Sequence, residues 1–345
     1  MIELDGATLE GGGQLLRTAV ALAAVTKKTC RVFNIRHGRE KPGLMPQHLL
    51  GIQALAQLCS GRLEGDKLGS KEIWFYPNRI QAKDLHVKIE TAGSITLVLQ
   101  TLIPVALFVS SPIKITFDGG ATDTFFSPTI DYFRFVFLKI LEKMGAKVEV
   151  AILKRGYYPE GGAIVEVKVF PSKLKFLNLI ERGQLKKLLV ISGASETLKD
   201  KKVAERQVAG VREVLGKLKL PTEEKIEYYD TRCPGSQICL AALFENTVIG
   251  TDNLGKLGKR AEDVGKEAAL ELLREQKSGA CLDRHLADQI LPYMALVSGR
   301  HPPATRSQVT ISEITNHCKT NIWVIEKFIE GKFEIKDNLI LWAPF

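Results

Sequence analysis

Apolar residues recur in one order at three places along the chain. In the first, a helical stripe over 49–58 stops ahead of Gly61, and alternating residues with a turn at Gly69 close in Trp74-Phe75-Tyr76-Pro77. In the second, Phe133, Phe137, Ile140, Leu141 and Met144 share a stripe. Gly145-Ala146-Lys147-Val148-Glu149, a turn at Gly161-Gly162 and a strand ending Val169-Phe170-Pro171 follow. The third has Ile322, Ile325, Phe328 and Ile329, then Gly331-Lys332-Phe333-Glu334, a turn at Asp337-Asn338 and Leu341-Trp342-Ala343-Pro344. A 3.6-residue period that ends at glycine and gives way to a period of two predicts a helix followed by a hairpin. Upstream of these, apolar stretches at 14–25, 94–109 and 286–297 predict helices, each leading into a β-rich segment at 29–35, 113–117 and 308–311. Each unit therefore reads helix, strand, helix, hairpin, over about 1–77, 78–171 and 284–345.

Residues 183–277 break this plan. Their order is strand (188–192), helix (203–215), strands (225–229 and 238–244) and helix (261–273), which suits a small inserted α/β domain. The expected class is α+β, with a core formed by 1–182 and 278–345 and the insert by 183–277.

The 345 residues are 45% hydrophobic and 25% charged, which excludes a disordered tail, a collagen and a mini-protein. Lys and Arg number 48 against 39 Asp and Glu, a net charge of +9 that favours an anionic partner such as a nucleotide or nucleic acid. The six cysteines show neither CxxC nor metal-ligand spacing, so idle thiols in a reducing compartment are expected. The first residues lack a basic start and an apolar run, so no signal peptide and a cytoplasmic location are expected. The most apolar run, 95–109, is interrupted by Gln100 and Pro104 and falls short of the roughly 20 residues that span a bilayer. It reads as a buried helix, and no membrane association is expected.

Chemistry concentrates in four places. Glu10-Gly11-Gly12-Gly13-Gln14 opens a helix, where glycines let backbone amides approach an anion; a turn alone is the plainer reading. Arg17 lies one turn further. The stretch 36–48 packs Arg36, His37, Arg39, Lys41 and His48 among prolines and glycines; it suits a phosphate cradle, and equally a solvated basic loop. Residues 155–163 need be no more than a hairpin turn. His285-Leu286-Ala287-Asp288-Gln289 starts a helix, and His317 follows the helix cap Thr315-Asn316. A histidine there feels the positive end of the helix dipole, which favours neutral, nucleophilic imidazole.

Taken together, these segments resemble the RNA 3'-terminal phosphate cyclases. The likeness runs through Leu4-Asp5-Gly6, Glu10 to Gln14, Arg39-Glu40-Lys41-Pro42-Gly43-Leu44 and Gln47-His48-Leu49. It continues through Ala92 to Thr101, Gly119-Gly120-Ala121-Thr122-Asp123, Leu286 to Gln289, and His317 with Thr320-Asn321-Ile322. The family signature, Arg/His-Gly-x-x-Pro-x-Gly-Gly-Gly, is met by Arg155 to Gly162 and broken at Ala163, a change that a structural hairpin is expected to tolerate.

The resemblance implies three repeated helix/four-stranded-sheet units, related to the enolpyruvyl transferase fold, with a small inserted α/β domain. It also implies that a histidine attacks the α-phosphate of ATP and passes AMP to an RNA 3'-phosphate, whose neighbouring 2'-hydroxyl closes a 2',3'-cyclic phosphate. The nucleophile then falls on His317, and the nucleotide contacts on Gln100, Pro128 and His285, Leu286, Ala287, Asp288 and Gln289. His285 stands where many relatives carry Tyr. Glu10 matches a carboxylate for Mg2+ (or Mn2+), and Arg17, Arg39, Gln47 and His48 match positions that handle phosphate. The implied partners are ATP and RNA with a 3'-terminal phosphate, and a homodimer is allowed. Two rivals share the fold: a noncatalytic relative used in ribosome assembly, which lacks the histidine, and an enolpyruvyl transferase. Every candidate site residue lies outside 183–277, so the site is expected to work without the insert.

Overall fold

The structure, a computed structural model, describes residues 1–218, 220–297 and 306–345. The expected helix, strand, helix, hairpin order is present in all three units, and a strand absent from the sequence reading precedes each. The first unit runs β1 (Ile2–Asp5), α1 (Gly13–Thr26), β2 (Cys30–Phe33), α2 (Pro46–Leu58), β3 (Arg62–Glu64) and β4 (Ile73–Tyr76). The second runs β5 (Leu85–Ser94), α3 (Ile95–Ala106), β6 (Ile113–Ala121) and a composite helix. That helix joins α4 (Ile130–Tyr132) to α5 (Leu138–Lys143) through a π-helical turn, Phe133–Phe137; β7 (Val148–Lys154) and β8 (Ile164–Val169) follow.

The third unit starts with β9 (Asn178–Leu179), and the insert interrupts it at once. The insert comprises β10 (Leu185–Ser195), α6 (Val203–Leu215), β11 (Thr222–Tyr229), β12 (Ser236–Phe244), β13 (Val248–Leu254) and α7 (Ala261–Lys277). The unit then resumes with α8 (Arg284–Ala295), β14 (Ser307–Thr310), α9 (Asn316–Phe328), β15 (Gly331–Lys336) and β16 (Leu339–Pro344).

The three core sheets share one topology, with orders β1-β2-β4-β3, β5-β6-β8-β7 and β9-β14-β16-β15. In each, the first strand pairs parallel with the second across a helical crossover, as in Leu4 with Val32, Val87 with Phe117 and Leu179 with Val309. The hairpin then adds antiparallel. Helix α1 packs against α2, α3 and α9, so Leu15 to Ala24 is buried almost all round. Helix α3 is buried except at Gln100, as the apolar run predicts.

The insert packs on the core through one face of its sheet. Its sheet, β11-β10-β12-β13, alternates in the usual strand period. Leu188, Val190, Ile238 and Leu240 pack with α6 and α7, whereas Leu189, Ile191, Cys239 and Ala241 enter the main core.

The signature loop is also more than a hairpin. Arg155 is buried, donating to Asp123 at 3.0 Å and to Asp131 at 2.6 and 2.8 Å. Tyr157 hydrogen-bonds the Gln237 side chain of the insert, and the Cys233 thiol donates to the Tyr157 carbonyl. Gly161 and Gly162 adopt φ of 68° and 81°, but Ala163 lies outside the left-handed region, so its side chain is accommodated.

Candidate active site

Side chains from the first two turns of α1, α8 and α9 meet one another. Thr315 caps α9 by accepting from the Cys318 amide at 3.1 Å, which sets His317 in the first turn. His317 Nδ1 hydrogen-bonds Gln14 Oε1 of α1, and Gln14 Nε2 donates to Asp288 Oδ2 of α8 at 2.7 Å. Thr18 donates to Asn321 at 2.7 Å, and Asn321 donates to the Asp288 carbonyl at 2.6 Å. These bonds lock the three helices in register.

The other ring nitrogen of His317 faces Glu10, with Nε2 3.8 Å from Oε1, and the Glu10 carboxylate pairs with Arg39. The Glu10 amide donates to Thr320 Oγ1 at 3.3 Å, tying the glycine turn to α9. Burial pushes the His317 pKa down; Glu10 opposes the shift, and Arg17, Arg39 and His285 add to it. The imidazole is therefore neutral at pH 7 while 45% of its side chain stays exposed. Asp288 is pushed up to about 7 by burial, with Arg17 opposing. Burial lowers Arg17 only to about 10, so it stays cationic.

His48 is buried and burial drives its pKa down to about 3, with Arg17 and Arg36 adding to the shift. It is neutral, accepts from the Met45 amide at 3.3 Å, and packs on Gly13, where a Cβ would lie 2.0 Å from its Nε2. This histidine shapes the glycine turn rather than presenting charge. Gln47, the preceding residue of α2, lies near Gly93.

Farther from His317, Asp283 caps α8. Its Oδ1 accepts from the His285 and Leu286 amides at 3.1 and 2.9 Å and from the Tyr132 hydroxyl at 2.6 Å, and its Oδ2 accepts from the Gly250 amide of β13 at 2.9 Å. Beside it, Asp252 of β13 accepts from the Thr129 amide at 2.6 Å, next to Pro128, whose carbonyl accepts from Thr96. Gln100 donates to Gln289 at 2.9 Å, and Gln289 donates to the His285 carbonyl. His285 is exposed and accepts from Arg284 Nε at 3.3 Å. Leu286 and Ala287 are buried, so they offer backbone and packing only.

A family model described as RNA 3'-terminal phosphate cyclase matches residues 8–335. The chain belongs to the RNA 3'-terminal phosphate cyclase family. Among its relatives is the RNA 3'-terminal phosphate cyclase of Pyrococcus abyssi (strain GE5 / Orsay), 44% identical over 336 residues, or 97% of this chain and 95% of that one. Those of Thermococcus kodakarensis and Ignicoccus hospitalis are each 43% identical over 98% of this chain, covering 95% and 96% of their own.

Within this cyclase-family fold, the residues expected at the site fall into three groups. His317, Glu10 and Arg39 gather at the start of α9, and Arg17, Asp288, Gln100 and Gln289 line one cavity with Gln14, whereas Pro128 and His285 lie toward Asp252 of β13. Sequence reasoning missed the roles of Gln14, Asn321, Asp283 and Asp252. Gln14 and Asn321 sat inside quoted motifs, which was their only signal. Among the described residues, no group of three or more His, Cys, Asp or Glu is placed to hold a metal ion. Among them, too, no helix is long and apolar enough to cross a membrane.

Proposed function

We propose that this protein is an ATP-dependent RNA 3'-terminal phosphate cyclase in which His317 is the nucleophile. The observation that carries this reading is His317 in the first turn of α9, hydrogen-bonded through Nδ1 to Gln14, with Arg39 and Glu10 beside its other nitrogen. Nε2 attacks the α-phosphorus of ATP, pyrophosphate leaves, and AMP is held on the histidine. An oxygen of the RNA 3'-phosphate then attacks the same phosphorus and displaces His317, giving an RNA-(3')pp(5')A end. The neighbouring 2'-hydroxyl closes on the 3'-phosphorus and AMP departs.

The side chains suit these steps. Arg17 and Arg39 oppose the charge that gathers on the transferring phosphoryl group. Gln100, Pro128, His285 and Gln289 form the wall for the nucleotide. Glu10 is a partly exposed carboxylate that would hold Mg2+ (or Mn2+), and the metal would supply charge neutralisation there.

The test uses a 3'-phosphorylated oligoribonucleotide. With ATP and Mg2+, its end should become resistant to phosphatase, as a cyclic phosphodiester is, and without ATP it should stay sensitive. An end that stays sensitive with ATP present overturns the reading and favours a noncatalytic relative.

A further inference from the structure

The reading above assigns no task to Gln14, yet Gln14 is the only residue that touches both His317 and Asp288 among the hydrogen bonds of the described residues. It is buried in the first turn of α1. A carboxamide has two distinct ends, an acceptor and a donor. The Asp288 carboxylate 2.7 Å away takes the amide N–H, which turns the carbonyl oxygen toward His317. A carbonyl oxygen only accepts, so the proton on the imidazole must lie on Nδ1. Nε2, on the side of Glu10 and Arg39, is then left with its lone pair.

We propose that Gln14 is the positioning residue that sets the tautomer of His317, and that its neutrality keeps the histidine-bound nucleotide reactive. The inference rests on His317 being the nucleophile and adds how it is held and why it leaves.

The balance of the two transfers makes the second half concrete. In the first, the Nε2 lone pair forms the N–P bond, and the bond from the α-phosphorus to the bridging oxygen breaks, its electrons leaving with pyrophosphate. No proton moves, because Nε2 had none. The ring is now a phosphorylated imidazolium that keeps Nδ1–H. In the second, an oxygen of the RNA 3'-phosphate forms a P–O bond, and the N–P electrons return to Nε2 as neutral imidazole. A carboxylate at Gln14 would stabilise the imidazolium and make the ring more basic, hence a poorer leaving group. An amide fixes the geometry without that stabilisation. Asp288 fixes the amide from one side chain further back, out of contact with the ring.

Two variants divide these effects. Gln14→Leu removes the acceptor, frees the tautomer, and should slow self-adenylylation by roughly ten- to a hundredfold, the usual cost of losing the outer partner that orients a functional histidine. The paired exchange Gln14→Glu with Asp288→Asn keeps both hydrogen bonds and the net charge while placing the carboxylate against His317. It should label with α-32P-ATP far faster than Gln14→Leu, yet transfer preformed AMP to 3'-phosphate RNA about tenfold more slowly than the wild type. Nitrogen-15 NMR of histidine-labelled wild-type protein should show His317 as the Nδ1–H tautomer at pH 7, a readout that needs no variant to fold.

Failure separates cleanly. Wild-type protein without AMP on His317 overturns the nucleophile reading. Wild-type protein that carries AMP there, with an Nε2–H resting tautomer or with Gln14→Leu labelling at the wild-type rate, overturns the tautomer role alone. An exchange variant that transfers AMP as fast as wild type overturns the claim about neutrality.

Discussion

At the His317 end of the site, every fixed contact comes from the repeated core: Gln14 of α1, Asp288 and Asn321 of α8 and α9, and Glu10 in the glycine turn. At the His285 end, the insert holds the wall, since Gly250 donates to the cap of α8 and Asp252 receives the Thr129 amide. The end proposed for the chemistry thus belongs to parts that recur in the sequence, whereas the wall proposed for the nucleotide is a junction of the second unit, the third unit and the insert. Changes in the insert should therefore reach binding before they reach the nucleophile.

The largest effect is expected at the junction itself. Asp283→Ala leaves two α8 amides, the Gly250 amide and the Tyr132 hydroxyl without their acceptor. At about 1–3 kcal/mol for each buried group that stays unpaired, and with partial relaxation, urea denaturation should show a loss of about 4 kcal/mol. A loss below about 1 kcal/mol would mean that the insert is not anchored through this carboxylate.

Arg39→Ala probes the chemical end. Loss of one charge-assisted phosphate contact costs about 1.5–3 kcal/mol, or roughly one to two powers of ten in rate. The loss should fall on single-turnover transfer of AMP to 3'-phosphate RNA more than on self-adenylylation. Equal losses would place Arg39 at the phosphates of ATP.

His48 tests whether the glycine turn depends on a neutral ring. Its pKa is about 3 in the fold against 6.5 ordinarily, so the folded state excludes a proton that the unfolded chain takes up. The stability this residue allows is intact above pH 6.5 and is lost progressively as the pH falls toward 3. Between pH 7 and 5 the loss should be about 2 kcal/mol in the wild type and absent in His48→Gln, as read by denaturation at the two pH values. The same acid destabilisation in both proteins would remove His48 as its source.

The smallest effect sharpens the comparison most. Asp252→Ala should raise the KM for ATP roughly fivefold, about 1 kcal/mol, while self-adenylylation at saturating ATP stays near the wild-type rate. A fall in the saturated rate with KM unchanged would show that the insert acts on the nucleophile instead.

The contrast between the two ends also explains what was legible in the sequence. Helices α1, α3, α8 and α9 and the three hairpins follow from periodicity and glycine stops, because each element carries its own signal over ten or more residues. The strands that open the units were missed. Asn178–Leu179 is too short to show a period, and the insert separates it from its partner β14. Strand β13, which braces the wall, was missed as well: Val248–Leu254 mixes glycine, threonine, aspartate and asparagine into a segment with little alternation.

Site residues divide in the same way. His317 and its Thr315 cap lie within a few residues of each other, so local reasoning finds them. Its bond to Gln14 spans 303 positions, and the bond of Gly250 to Asp283 spans 33 across a domain boundary. Neither leaves a local pattern. Arg155 shows the same limit: its loop reads as a turn, while its partners Asp123 and Asp131 lie 32 and 24 residues upstream.

The central claim is that His317 carries the nucleotide, and mapping the adduct tests it most directly. Wild-type protein would be incubated with α-32P-ATP and Mg2+, denatured, digested at neutral or alkaline pH, and its labelled peptide sequenced by mass spectrometry. The account predicts one AMP on His317, and no label in His317→Ala protein that remains folded. AMP on a lysine, on His285 or on His48, or a His317→Ala protein that still labels, would contradict it.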